Sequence, residues 1–179
     1  ANELPQEDTQ SLGRQKTSVS KDAIKIYVLK LSRIANFDDL DPLAAESDVE
    51  VSIINPGTVV PSDADLIIIP GSKSTLADLK QIRTEGWDVD IAAHHRRGGY
   101  VVGLCGGYQM LGCQISDPDG IEGDPSEANG LGLINISTVI RGNKILLETT
   151  GFEIDTGKPV KGYEMHIGKT SGPGLDKPW

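Results

Sequence analysis

Cysteine is scarce in this chain, with two among 179 residues, Cys105 and Cys113. Two thiols cannot build the disulfide framework of a small secreted fold. If one helix carried both, they would lie about 12 Å apart, too far to bridge. A reducing, cytoplasmic setting is expected. Histidine is nearly as rare, at His94, His95 and His166, so a general base has few places to come from. Positive charge is outweighed: 17 Lys and Arg against 26 Asp and Glu give a net charge of −9, which argues against a nucleic-acid or anionic-membrane partner. No apolar run approaches the ~18 residues that cross a bilayer. Internal repeats and low-complexity tracts are absent.

A signal peptide is lacking too. The first stretch, "ANELPQEDTQSLGRQKTSVSKD", is polar, mixed in charge and without an initiating methionine. Residues 1–22 read as a linker without regular structure, since they offer too little apolar surface to offset about 1 to 2 kcal/mol of ordering entropy per residue. "SGPGLDKPW" at the other end closes no element. Both ends are expected to be boundaries cut from something longer.

The remainder, residues 23–179, has the apolar content of one globular domain, with 37% hydrophobic and 24% charged residues overall. "AIKIYVLKL" (23–31), "EVSII" (50–54), "DLIIIP" (65–70) and "GYVVGLC" (99–105) are short β-branched runs. The last two are almost continuously apolar, as parallel strands covered on both faces must be. Helices are expected over 38–46, 74–83 and 87–97, with Ser74 as an N-cap and Asp41-Pro42 at N-cap and N1. This alternation predicts an α/β, flavodoxin-like doubly wound sheet, mostly parallel, with helices on both faces. Three further strand-like segments, "GLGLINISTVI", "NKILLETT" and "VKGYEMHIGKT", predict an antiparallel extension of the same domain.

Ligands of such sheets bind beyond the carboxyl ends of the strands. Two turns there stand out. "GLCGGYQMLG" runs from strand to Gly103, Leu104, Cys105, Gly106, Gly107 and then a helix, the layout of a nucleophile elbow. A thiol at a helix N-terminus gains thiolate character, and the Gly106 N–H could hold an oxyanion. A structural cysteine in a glycine-packed turn is the bland alternative. The second turn, "PGSKST" (70–75), is no phosphate-binding loop, because serine separates Gly71 from Lys73. Its Gly71 and Ser72 amides could complete an oxyanion hole, or the turn could simply precede a capped helix.

Together these motifs resemble the class I glutamine amidotransferase domains of the cobyric acid synthase and cobyrinic acid a,c-diamide synthase group. "RIANFDDLDPL" (33–43) and "GYEMHIGKT" (162–170) are similar to stretches of the cobyric acid synthase branch, and the likeness spans about residues 24–170. The resemblance implies hydrolysis of glutamine to glutamate and ammonia, with Cys105 as nucleophile and a glutamyl thioester as intermediate. Gly71, Ser72 and Gly106 would bind the oxyanion. Gln109 matches a position that helps bind glutamine, and its spacing puts it one helical turn from Cys105. No metal and no cofactor are implied for this domain. ATP and Mg belong to an N-terminal synthetase domain of the same chain, the implied partner, through which the corrinoid substrate is an indirect one. Arg33, Asn36, Asp38, Asp39 and Asp41 are candidates for what faces that partner, or a plain solvated loop.

The same resemblance places the catalytic histidine in a Gly-Thr-Tyr-x-His-Gly segment, expected beyond Trp179. The 179 residues alone are therefore expected to have little or no glutaminase activity. His94 and His95, in "AAHHRRGG", read as solvated side chains at the basic end of a helix. His166 is either a buried structural histidine or a residue of the active-site cleft. Two further hypotheses are another flavodoxin-like thiol hydrolase and a non-catalytic α/β binding module.

Overall fold

The computed structural model describes residues 22–35, 40–142 and 145–177. The expectation for residues 1–22 falls almost wholly outside them, as do those for Asn36, Asp38 and Asp39. The first sheet is parallel and built from β1 (Ile24–Leu29), β2 (Val49–Ile54), β3 (Leu66–Ile69) and β4 (Tyr100–Gly103) in the order β2-β1-β3-β4. That is the doubly wound order whose direction reverses between β1 and β3 and opens a crevice there.

Side-chain alternation along the two central strands explains their apolar runs. Ile67 and Ile69 of β3 pack into one core with Leu29, while Ile68 joins Ile26 and Val28 in a second core on the opposite face. Both faces are buried along Ile67–Ile69 of β3 and the second half of β1, while Ile24 and Lys25 at the start of β1 reach the surface. Helices α2 (Thr75–Thr84) and α3 (Trp87–Arg96) close the first face with Leu79, Ile82, Trp87 and Ile91. The buried Trp87 indole donates to the Thr58 carbonyl at 2.8 Å, so its one polar atom is satisfied. Leu40 and Leu43, at the short helix α1 (Asp41–Ala45), cover the second face.

Several local expectations shift. The cap of helix α1 falls one residue earlier than proposed, with Leu40 at the cap position and Asp41 inside the helix. Ser74 occupies the N-cap of α2 but makes no side-chain cap. Instead the Glu122 carboxylate, from a distant loop, accepts the Thr75 N–H at 2.5 Å. His94 is buried rather than solvated, with its Nε2 3.0 Å from the Tyr100 carbonyl oxygen, whereas His95 is exposed as expected. The sulfur spacing also changes, because helix α4 (Gly106–Met110) ends before Cys113.

The antiparallel part is not an extension of the first sheet. A second sheet runs β10-β7-β5-β6, from β5 (Gln114–Asp117), β6 (Ser126–Asn129), β7 (Ser137–Val139) and β10 (Lys169–Ser171), with β5 and β7 parallel. Strands β8 (Ile145–Phe152) and β9 (Pro159–His166) form a separate antiparallel ribbon. Of "GLGLINISTVI" only Ser137–Val139 is strand. Leu131, Leu133 and Ile134 in the rest lie in a loop packed on the first core.

Candidate active site

Cys105 sits at the sharp turn from β4 to α4 with φ +49° and ψ −108°, the one non-glycine residue at positive φ among the described residues. A side chain is held in that region only where its surroundings dictate it. The neighbours do so here by close approach. A Cβ at Gly107 would stand 2.1 Å from the Ile69 carbonyl oxygen, and one at Gly103 would stand 2.5 Å from the Gly107 carbonyl group. Only glycine at both positions lets the helix pack against β3 and β4 so tightly, and the tight turn drives the Cys105 side chain outward, where it is exposed.

The turn after β3 lies alongside. An antiparallel bridge pairs Ile34 with Ser72, the Ala35 N–H donating to the Gly71 carbonyl and the Lys73 N–H to the Arg33 carbonyl. In that pattern the Ser72 N–H points away from its partner strand. It meets Gly106, whose Cβ position is 3.2 Å from the Ser72 nitrogen, while a Cβ at Gly71 would stand 3.8 Å from that of Cys105. The amides of Ser72 and Gly106 have no carbonyl partner among the described residues. The Ser72 amide nitrogen thus lies against the first residue of α4, the residue that follows Cys105. The Ser72 hydroxyl faces the other way, donating to Asp78 Oδ2 at 2.6 Å and accepting the Ser74 N–H at 2.9 Å, so it braces the turn from below. Burial pushes the Asp78 carboxyl above its ordinary range, against the opposing pull of the Ser72 hydroxyl.

Gln109 is buried one turn along α4, and its amide joins two walls. Its Nε2 donates to the Ile167 carbonyl at 3.2 Å and its Oε1 accepts from the Thr75 hydroxyl at 3.3 Å. The Thr75 hydroxyl is also within 3.0 Å of Glu122 Oε1. Glu122 is in turn placed by Asp117, whose two carboxylate oxygens accept the Ile121 and Glu122 N–H groups at 2.9 and 2.8 Å. Burial raises the Glu122 carboxyl above its ordinary range, the Thr75 hydrogen bonds opposing the shift.

These residues line a cleft of about 530 Å³ at the carboxyl ends of the parallel strands. Its far wall comes from β9: Tyr163, Met165 and His166, with the Met165 carbonyl 3.8 Å from the Cys105 sulfur. His166 thus belongs to the cleft, half-buried, its Nδ1 3.3 Å from Glu164 Oε1. All six residues singled out from the sequence, Gly71, Ser72, Cys105, Gly106, Gln109 and His166, line this one space. Thr75, Glu122 and Tyr163 also line it and were not foreseen. Glu122 carried a weak signal, the turn-rich "DPDGIEG" after a strand, but nothing local ties that loop to a helix start 47 residues earlier. Among the described residues, no group of three or more His, Cys, Asp or Glu side chains could hold a metal ion.

With the geometry in place, comparisons with known proteins converge. The model of the CobB/CobQ-like glutamine amidotransferase domain matches residues 25–179. The chain is 52% identical over 176 residues to a cobyric acid synthase of Ruegeria sp. (strain TM1040), covering 98% of this chain and 36% of that protein. It is 53% identical over 178 residues to a cobyric acid synthase of Caulobacter sp. (strain K31), covering 99% of this chain and 37% of that one. The chain therefore spans little more than a third of these relatives' length. Among solved structures, PurLQS from Thermotoga maritima aligns at TM-score 0.58 and 18% identity, over 82% of this chain and 68% of that one. A glutamine amidotransferase crystal structure aligns at TM-score 0.51 and 16% identity, over 79% and 70% of the two chains. At those identities they bear on the fold alone.

Proposed function

Because the chain belongs to the CobB/CobQ-like glutamine amidotransferase domain family, we propose that it takes ammonia from the side-chain amide of glutamine, with Cys105 as nucleophile, for a cobyric acid synthase. The observation that carries this reading is the strained Cys105 turn, which presents an exposed sulfur next to the Gly71–Ser72 turn, whose Ser72 amide has no carbonyl partner among the described residues. The family does not favour another thiol hydrolase or a binding module.

The thiolate attacks the side-chain carbonyl carbon, and the oxygen becomes an oxyanion between the amides of Ser72 and Gly106. Amides held by a rigid turn need no reorganisation as that charge develops. The C–N bond then breaks as the nitrogen gains a proton and departs as ammonia, leaving a γ-glutamyl thioester. Water hydrolyses the thioester to glutamate and restores the thiol. Gln109 keeps the β9 end against the elbow, and Glu122 offers a desolvated carboxylate to the ammonium group of the substrate's amino-acid end. The ammonia goes to an ATP- and Mg-dependent amidation of corrinoid carboxylates carried out by the remaining part of a longer polypeptide.

His166 shapes the cleft in this reading, while the proton-transferring histidine comes from outside these residues. Glutamate release tests it. In the full natural polypeptide that carries this chain, Cys105→Ala should abolish release. The 179-residue chain should turn over slowly, and His166→Ala should lower that residual rate by less than the ~10²-fold that removes a general acid–base. Robust turnover by the 179 residues that disappears in His166→Ala would transfer the acid–base role to His166.

A further inference from the structure

Strands β8 and β9 pair with each other and with no other strand among the described residues. A lone two-stranded ribbon is marginally stable in water. This one is also unusually apolar for a free surface: seven of the 14 exposed large hydrophobic residues described in the molecule lie between 146 and 165, which concentrates half of them in one short segment. Phe152 is 76% exposed and Tyr163 68%. The pairing of Leu146 with Met165 and of Glu148 with Tyr163 puts Leu146, Phe152, Tyr163 and Met165 on one face. Leu147 and Val160 occupy the other. Packing on this domain's own core could cover one face at most. Apolar patches of this kind mark surfaces that bind another protein.

Three observations select the occupant. Tyr163 and Met165 belong to both the ribbon and the wall of the Cys105 cleft, so whatever covers the ribbon also roofs the cleft. Ammonia released there must reach its acceptor before it is lost to water, and a partner seated at that rim is where the acceptor chemistry has to be. The curated relatives extend over nearly three times the length matched here. A second copy of the chain is the poorer fit, since each carries a net charge of −9.

We propose that the β8–β9 ribbon is the docking surface for the amidating portion of the cobyric acid synthase polypeptide, inserted so that both its faces are covered and the cleft is closed over Cys105. This rests on the function proposed above. Leu147 and Phe152 anchor the contact from opposite faces, and neither lines the cleft.

The test uses the full natural polypeptide that carries this chain. Leu147→Asp combined with Phe152→Asp should cut glutamine-driven amidation about tenfold or more, the scale of a lost interface hot spot. Amidation driven by added ammonium chloride and hydrolysis of glutamine should both persist. Tyr100→Asp, at an exposed aromatic away from the ribbon, should change nothing. Hydroxyl-radical footprinting of the unaltered polypeptide needs no variant: Phe152 and Tyr163 should be protected while Tyr100 is labelled. Labelling of all three alike, unchanged glutamine-driven amidation in the double variant, or protection that requires self-association in sedimentation would overturn the docking proposal. Glutamine-driven amidation that survives Cys105→Ala would instead overturn the underlying glutaminase reading.

Discussion

At the scale of single residues, the two sulfurs separate by backbone rather than by exposure. Both thiols are exposed. Cys113 lies past the end of α4, its sulfur 3.6 Å from the Ile134 carbonyl and 3.8 Å from Asn135 Oδ1. Cys105 lies at the N-terminus of α4 next to the Gly71–Ser72 turn, and the function proposed above assigns the Ser72 and Gly106 amides to its oxyanion. A glutamine-analogue electrophile should therefore label Cys105 first. Peptide mapping that finds Cys113 modified ahead of Cys105 would show that the elbow does not activate its thiol.

At the scale of elements, the elbow is a contact between a strand pair and a helix, and glycine is its spacer. Gly107→Ala would press a methyl group onto the Ile69 carbonyl, 2.1 Å from its oxygen, and that backbone lies in the centre of the parallel sheet and cannot yield. Overpacking of this kind costs about 1 to 3 kcal/mol, and the strain falls on the Cys105 backbone. Gly106→Ala meets Ser72 and Thr75 at 3.2 Å and should be better tolerated by the fold. Denaturant unfolding should show Gly107→Ala as the less stable of the two. An equal or smaller loss for Gly107→Ala would mean that the helix can move off the sheet without consequence.

At the scale of the whole molecule, two desolvated carboxyls, Asp78 buried and Glu122 partly buried, bind the site to stability. Asp78 and Glu122 both have carboxyls raised above their ordinary range by burial. A carboxyl raised in the folded state adds stability that is full below the unfolded value and lost as pH climbs through the folded one. Asp78→Asn/Glu122→Gln should thus gain stability relative to the parent as pH rises from the ordinary values of 3.8 and 4.5 toward neutrality. The amides lose the ionisation cost and keep an acceptor for Ser72 and Thr75. Urea titrations across that window measure the difference, and a stability gap that does not change with pH would contradict the burial argument.

The sequence by itself determined the parallel half. The apolar runs made parallel strands, β3 inside the sheet and β4 at the edge of its described part, and the glycines around Cys105 required a tight turn, so that turn was legible together with the place of Gln109 one helical turn on. Helix α1 and the cap of α2 were legible only approximately, because caps depend on which side chain arrives, and for Thr75 that is a carboxylate from 47 residues away. Tertiary structure alone decided the rest. It buried His94 against the Tyr100 carbonyl, since the turn after α3 folds back onto its own helix. It split the late strands into a second sheet and a separate ribbon, because alternation along a strand tells which residues share a face but not which strand lies beside it. It brought Glu122 to the cleft and set His166 at the end of β9 on the wall opposite the elbow, through contacts between segments that share no local pattern.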